Sequence, residues 1–212
     1  MDKKERVIVY VDGFNFYYGL KKNCKEFYWF DIVKLFDSFM RSNQELLTVK
    51  YFSARPENLE KSRNQNAFFQ ANNENKRFQL ILGKYLKKEI TCYKCNNVIH
   101  THEEKETDVR IATQIVADAY KDKYDIAIVV SADSDMIPAI ELAIEANKRG
   151  FVYFPPNQYS SDLATLGSGS PLLMQRYKSR FRKSLLPDTI TLSHNGFILE
   201  IPEKWKAHRR GK

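Results

Sequence analysis

Two short apolar runs, Val7-Ile8-Val9-Tyr10-Val11 and Ile126-Ala127-Ile128-Val129-Val130, constrain the fold more than any other feature of the chain. Both are rich in β-branched residues and far too short to span a membrane, so they read as buried strands. Strands of that kind are central in parallel sheets covered by helices, where ligands bind in the crevice beyond the carboxyl ends. Each run is followed by polar residues, Asp12-Gly13-Phe14-Asn15 after the first and Ser131-Ala132-Asp133-Ser134-Asp135 after the second. Gly13 can bend the chain at the first corner, turning Asp12 and Asn15 out of the core. Two loops bearing carboxylates are thereby expected to meet in that crevice.

The residues around these runs alternate in type. A helical face is predicted over 30–40, a strand over 46–53, a polar helix after Pro56 and a strand over 78–82. Residues 84–102 break the rhythm and read as a hairpin excursion. A helix over 107–120 follows, then the second apolar run, a helix capped by Asp133 or Ser134 with Pro138 in its first turn, and a strand over 151–154. Such alternation predicts a Rossmann-like α/β/α sandwich with a central, mostly parallel sheet and a hairpin insertion. Beyond Pro155 the pattern predicts a short helix at 160–163, a basic helix over 172–186, and a small C-terminal β-hairpin around Asn195-Gly196. Residues 204–212 read as a frayed basic tail. We expect one main domain over 1–186, with 187–212 packed on it or extending it.

Composition narrows the function. The 212 residues are 43% hydrophobic, enough for one substantial core, and no apolar run approaches the ~20 residues of a membrane helix. The first six residues lead into a strand rather than a signal peptide, and three cysteines make no disulfide framework, so a cytoplasmic location is expected. The formal charge of +8 favours polyanionic partners. No Gly-rich phosphate loop, dinucleotide fingerprint or Ser-His-Asp signature is present.

The run Glu103-Glu104-Lys105-Glu106-Thr107-Asp108 opens the helix over 107–120. Thr107 or Asp108 can be a simple helix cap. Equally, the apolar positions Val109, Ile111, Ala112, Ile115, Val116 and Ala119 would hold this helix against the sheet and aim Asp108 at the crevice. Asp31, Asp118, Asp122 and Asp125 read as surface or cap residues, and Asp162 as one that could reach the crevice. Cys92-x-x-Cys95 with His100 and His102 offers four zinc ligands, but histidines one residue apart depart from common zinc spacing. The spacing favours a turn with two free thiols, with zinc shared between chains as a third option.

Three blocks in order carry a resemblance: Ile8-Val9-Tyr10-Val11-Asp12-Gly13-Phe14-Asn15, Lys105-Glu106-Thr107-Asp108-Val109, and Val129-Val130-Ser131-Ala132-Asp133-Ser134-Asp135-Met136. Together the chain resembles the NYN domain, a branch of the PIN-like nucleases, in its bacterial LabA-like form. The resemblance implies a PIN-like fold in which Asp12, Asp108, Asp133 and Asp135 bind magnesium or manganese and hydrolyse RNA phosphodiesters, with Asn15 and Ser131 shaping the site. Family members often carry glycine where Ala132 and Thr107 stand here.

Elementary chemistry agrees. Magnesium is held by one or two carboxylates plus water and substrate phosphate, and clustered acids without a cation raise one another's pKa. Asp12 and Asp133 are expected as direct ligands, with Asp108 and Asp135 binding a second ion, acting through water or orienting the nucleophile. Phosphate contacts are expected from Lys84, Lys87, Lys88, Arg55, Arg110, Arg176 and Arg180 with their basic neighbours up to Lys183. Phe14, Phe16, Tyr17 and Tyr18 are candidates for stacking on a single strand. The partner is then single-stranded or structured RNA, and a homodimer is compatible. The rival reading is an RNA-binding or scaffold domain with slight chemistry.

Overall fold

The computed structural model describes residues 3–56 and 58–210; the side chains of residues 85–88, 90 and 99–105 and of Arg210 also lie outside the description. The first half runs β1 (Glu5–Asp12), α1 (Gly13–Asn23), α2 (Ile32–Asp37), β2 (Gln44–Ser53), α3 (Leu59–Asn73) and β3 (Phe78–Leu82). A hairpin of β4 (Lys84–Thr91) and β5 (Val98–Lys105) follows, then α4 (Thr107–Tyr120), β6 (Ile126–Val130), α5 (Ile137–Glu145) and β7 (Arg149–Phe154). The remainder is α6 (Ser161–Ala164), β8 (Leu172–Leu173), α7 (Lys178–Lys183), β9 (Thr189–Thr191), β10 (Ile198–Glu200) and α8 (Glu203–Arg210).

Six strands form one sheet in the order β3-β2-β1-β6-β7-β8, every pair parallel. With the hairpin set aside, this is the doubly wound order in which the chain reverses direction across the sheet between its first and fourth strands. The reversal falls between β1 and β6, whose register pairs Val11 with Val130. Side chains alternate across β1. Val7, Val9 and Val11 enter a core layer with α1, α2, α3 and the C-terminal segment, whereas Ile8 and Tyr10 enter a second layer with α4, α5 and α6. Asp12 shares the parity of Ile8 and Tyr10, so it is directed toward the α4 side.

Beneath α4 lies a buried polar cluster. Asp118 is fully buried rather than a surface residue, and it accepts from Tyr10 Oη at 2.9 Å, Gln114 Nε2 at 3.0 Å and Lys123 Nζ at 3.0 Å, and from Lys50 Nζ. Lys50 sits beside Tyr10 in the β1–β2 register. Burial raises the Asp118 pKa, but the hydrogen bonds from Lys50, Lys123 and Tyr10 outweigh it and hold the carboxyl below its usual range. The other acids read as caps or surface are such: Asp31 caps α2 by accepting from Lys34 N at 2.8 Å, and Asp122 and Asp125 pair with Arg6.

Three further sequence expectations change. Residues 172–186 are not one helix: Leu172 and Leu173 extend the sheet beside Tyr153 and Phe154, and only Lys178–Lys183 are α-helical. The pairing that completes the sheet edge overrides local helical periodicity. The supposed frayed tail is α8, in which Trp205 packs near Tyr28 and Trp29 and Arg209 donates to the carbonyls of Trp29 and Leu186 at 2.6 and 3.0 Å. An eight-residue helix is too short to persist alone in water, so docking orders it. Val109, expected in the packed face of α4, is 66% exposed. Among the described residues no helix is long and apolar enough to cross a membrane.

Candidate functional site

The site is built at the reversal between β1 and β6. Gly13 follows Asp12 at a point where a Cβ would meet the Phe52 carbonyl oxygen at 2.5 Å, so β2 can pack against the start of α1 only with glycine there. Asp12 is 5% exposed and caps α1, its Oδ1 accepting from Asn15 N at 2.9 Å. Its Oδ2 accepts from Ser131 Oγ at 2.9 Å, and Ser131 Oγ in turn accepts from Asp133 N at 3.0 Å. Asn15 Oδ1 accepts from Ala132 N at 3.3 Å. Asp133 Oδ1 accepts from Asp135 N at 3.0 Å, which fixes the short turn Ser134–Met136 leading into α5. One hydrogen-bonded chain therefore runs through Asp12, Asn15, Ser131, Asp133 and Asp135. Ala132 is not among the positive-φ residues, so alanine meets no backbone strain there.

Asp108 approaches from the opposite side as the second residue of α4. It does not cap that helix, and neither does Thr107: the cap position is Glu106, in the left-handed region at φ 76° and without a side-chain capping bond. Glu106 instead pairs with Arg110 at 2.7 Å and Lys84 at 3.3 Å, so both of these candidate phosphate contacts are engaged in ion pairs. Thr107 is 3% exposed and its hydroxyl has no hydrogen-bond partner.

Electrostatics tie the acids together. Burial pushes Asp12 up to about 6 against the lowering effect of its bonds from Asn15 and Ser131, and the charges of Asp108 and Asp133 push the same way. Asp108 is raised by burial and then by Asp133 and Asp135. Hard oxygen donors that destabilise one another's charge, beside a buried hydroxyl without a partner, fit a hydrated divalent cation. Among the described residues no three His, Cys, Asp or Glu side chains form a ready cation cage. That is compatible with magnesium, which commonly takes one or two protein carboxylates and completes its shell with water and phosphate.

A cleft of about 400 Å³ opens between α1, α3 and α8, in the layer across the sheet from α4; Gly13 lines it, and none of Asp12, Asp108, Asp133 and Asp135 does. Phe14, Tyr17, Tyr18, Tyr28 and Trp205 line it, and Lys21, Lys25, Lys61 and Lys204 stand around it. Phe16, at 1% exposure, belongs to the core. The lysines were not legible in the sequence because they lie on four separate segments, α1, the turn at 25–27, α3 and α8; only Trp205, in a segment taken for a tail, hinted that the chain returns here. Arg180, a candidate phosphate contact, bonds the Ser38 carbonyl and lies 4.4 Å from the centre of the Phe39 ring, a structural role. Arg176 and Arg55 are exposed. The side chains of Lys87, Lys88, His100 and His102 lie outside the described residues.

Comparison with known proteins places this geometry. The chain is 22% identical to VPA0982, a Vibrio parahaemolyticus protein of unknown function, whose crystal structure aligns with a TM-score of 0.56 over 78% of this chain and 90% of that one. That likeness concerns the fold. A 172-residue stretch is 24% identical to 6-hydroxy-3-succinoylpyridine 3-monooxygenase HspA of Pseudomonas putida, covering 65% of this chain and 55% of the relative. The chain thus spans about half the length of that curated relative. The NYN domain pattern matches residues 6–165, spanning β1 through β7 and every candidate acid, and the chain belongs to the NYN domain family of PIN-like nucleases.

Proposed function

We propose that the chain is a ribonuclease that hydrolyses RNA phosphodiesters with magnesium or manganese. The observation that carries this reading is the meeting of Asp12, Asp108, Asp133 and Asp135 at the carboxyl ends of β1 and β6, where their charges are electrostatically coupled. Asp12 and Asp133 are assigned as direct metal ligands and Asp108 and Asp135 as supporting or second-ion ligands; the ion, when bound, supplies activation of water and stabilisation of charge on the phosphate. The protein's own residues set the geometry. Ser131 and Asn15 N–H fix the two oxygens of Asp12, so its carboxylate presents its remaining lone pairs in one orientation. The raised pKa of Asp12 keeps that carboxyl protonated more readily when no cation offsets its charge.

The cleft supplies positioning. Aromatic faces stack on bases of a single strand without sequence preference, and lysines track its backbone. The Pseudomonas relative is named for a pyridine substrate, and a flat heteroaromatic ring would also suit these walls. The four lysines around the cleft favour a polyanion over a small ring. Leu185-Leu186-Pro187-Asp188 and Gly196-Phe197-Ile198 with Pro202 and Trp205 resemble the bacterial LabA-like branch, to which we assign the chain, with a cytoplasmic RNA as substrate.

The test incubates the purified chain with mixed RNAs and magnesium or manganese beside the Asp12→Asn and Asp133→Asn variants. Cleavage is expected only in the unsubstituted chain with metal. Cleavage that persists in both variants sinks this site, and tight, salt-sensitive RNA binding without cleavage under any metal replaces catalysis by a binding role.

A further inference from the structure

The tip of the β4–β5 hairpin carries two sulfurs that the acid site does not use. Cys92 and Cys95 are both free thiols, and the third cysteine, Cys24, is buried in the core. The turn between them is tight: Cys92 N donates to the Asn97 carbonyl at 2.9 Å, Asn96 N donates to the Cys92 carbonyl at 2.8 Å, and Asn96 has φ 53°. The backbone N–H groups of Lys94 and Cys95 and the thiol of Cys95 hold the Cys92 thiol below its ordinary pKa. Between the cysteines Tyr93 stands 89% exposed.

The same chain contains a control. In the β9–β10 hairpin Leu192 N donates to the Phe197 carbonyl at 2.8 Å, Gly196 N donates to the Leu192 carbonyl at 2.9 Å, and Gly196 has φ 70°. This turn has the backbone bonding of the first, with Leu192 and Asn195 where the other has Cys92 and Cys95. The turn closes without sulfur, so the two thiols are not needed to shape it.

Paired thiolates suit zinc, which takes four ligands in a closed structural site. Among the described side chains of one chain the supply stops at two. The β4–β5 register sets His100 opposite Glu89 and His102 opposite Lys87. At ~3.3 Å per residue their backbones sit roughly 10 and 16 Å behind the level of Cys92. Among the described residues no third His, Cys, Asp or Glu joins the pair.

We infer that the hairpin tip is half of a structural zinc centre, completed by Cys92 and Cys95 of a second copy of this chain. Four thiols then surround one ion, each releasing its proton to solvent, and the exposed Tyr93 rings are brought to the junction. The proposal does not rest on the nuclease reading.

The experiment uses the full chain, purified without chelator from zinc-supplemented cells, with metal content measured by mass spectrometry and molar mass by light scattering. One zinc per two chains in a dimer is expected, together with dissociation to monomers on chelation. The Cys92→Ser/Cys95→Ser variant is expected to lose both zinc and dimer while keeping the far-ultraviolet circular dichroism of the parent. Cobalt in place of zinc should give thiolate charge-transfer absorption with the intensity of four sulfur ligands. One zinc per monomeric chain, no retained zinc, or a dimer that survives both substitutions would overturn the proposal.

Discussion

The charge of Asp108, in the first turn of α4, raises the pKa of Asp12 at the end of β1, although nearly a hundred residues separate them in the chain. Together with burial this lifts Asp12 to about 6, above the ~4 of an unfolded carboxyl. A folded-state pKa above the unfolded one adds stability that is complete below pH ~4 and lost as pH rises through 6, on the order of 2–3 kcal/mol for this shift. Without divalent metal, Asp12→Asn is therefore expected to be more stable than the parent at pH 7 and to lose that advantage toward pH 4. Thermal unfolding of both proteins across that range measures the difference; a constant gap would refute the coupling.

Ser131→Ala removes the hydroxyl that holds Asp12 Oδ2 and accepts from Asp133 N. Loss of such an outer partner typically weakens metal binding ~10–100-fold. Manganese titration by calorimetry should show that loss with the fold intact, and unchanged affinity would mean that Asp12 needs no such orientation.

Lys50→Met breaks the buried pair with Asp118 and leaves that carboxylate with Tyr10, Gln114 and Lys123. Removing one partner of a buried pair costs ~3–5 kcal/mol. Urea unfolding should show a destabilisation of that order, while cleavage per folded molecule stays at the parent level. A loss below ~1 kcal/mol would show that Tyr10, Gln114 and Lys123 together satisfy Asp118 without Lys50.

Tyr18 is 50% exposed on the wall of the cleft. Tyr18→Ala is expected to weaken single-stranded RNA binding by ~1–3 kcal/mol with little change in stability. Lys61→Gln and Lys204→Gln should each lower the salt dependence of binding by ~0.7 in log-log slope. Fluorescence anisotropy at several salt concentrations reads both, and wild-type slopes in the lysine variants would move the RNA elsewhere.

The sheet and the meeting of the acids were legible because each depends on short stretches of chain. β-branched runs of five residues specify buried parallel strands, and an acid immediately after such a strand can only stand at its carboxyl end. What escaped depends on distant pairing. Asp118 looks like any helix-surface acid until Lys50 on β2 and Tyr10 on β1 are seen beneath it. Residues 172–186 carry helical periodicity, yet the open edge of β7 captures Leu172 and Leu173. Glu106, not Thr107 or Asp108, takes the cap position, which a charge run cannot reveal.

Helix α8 closes one wall of the cleft, and its Arg209 bonds the carbonyl of Trp29, 180 residues earlier. During synthesis at ~5–20 residues per second, that wall arrives roughly 10–40 s after the segment it covers. The acids of β1, α4 and β6 can assemble before it does. A nascent chain thus gains its acid cluster ahead of the cleft wall that α8 supplies, and the cleft is complete only once α8 has docked.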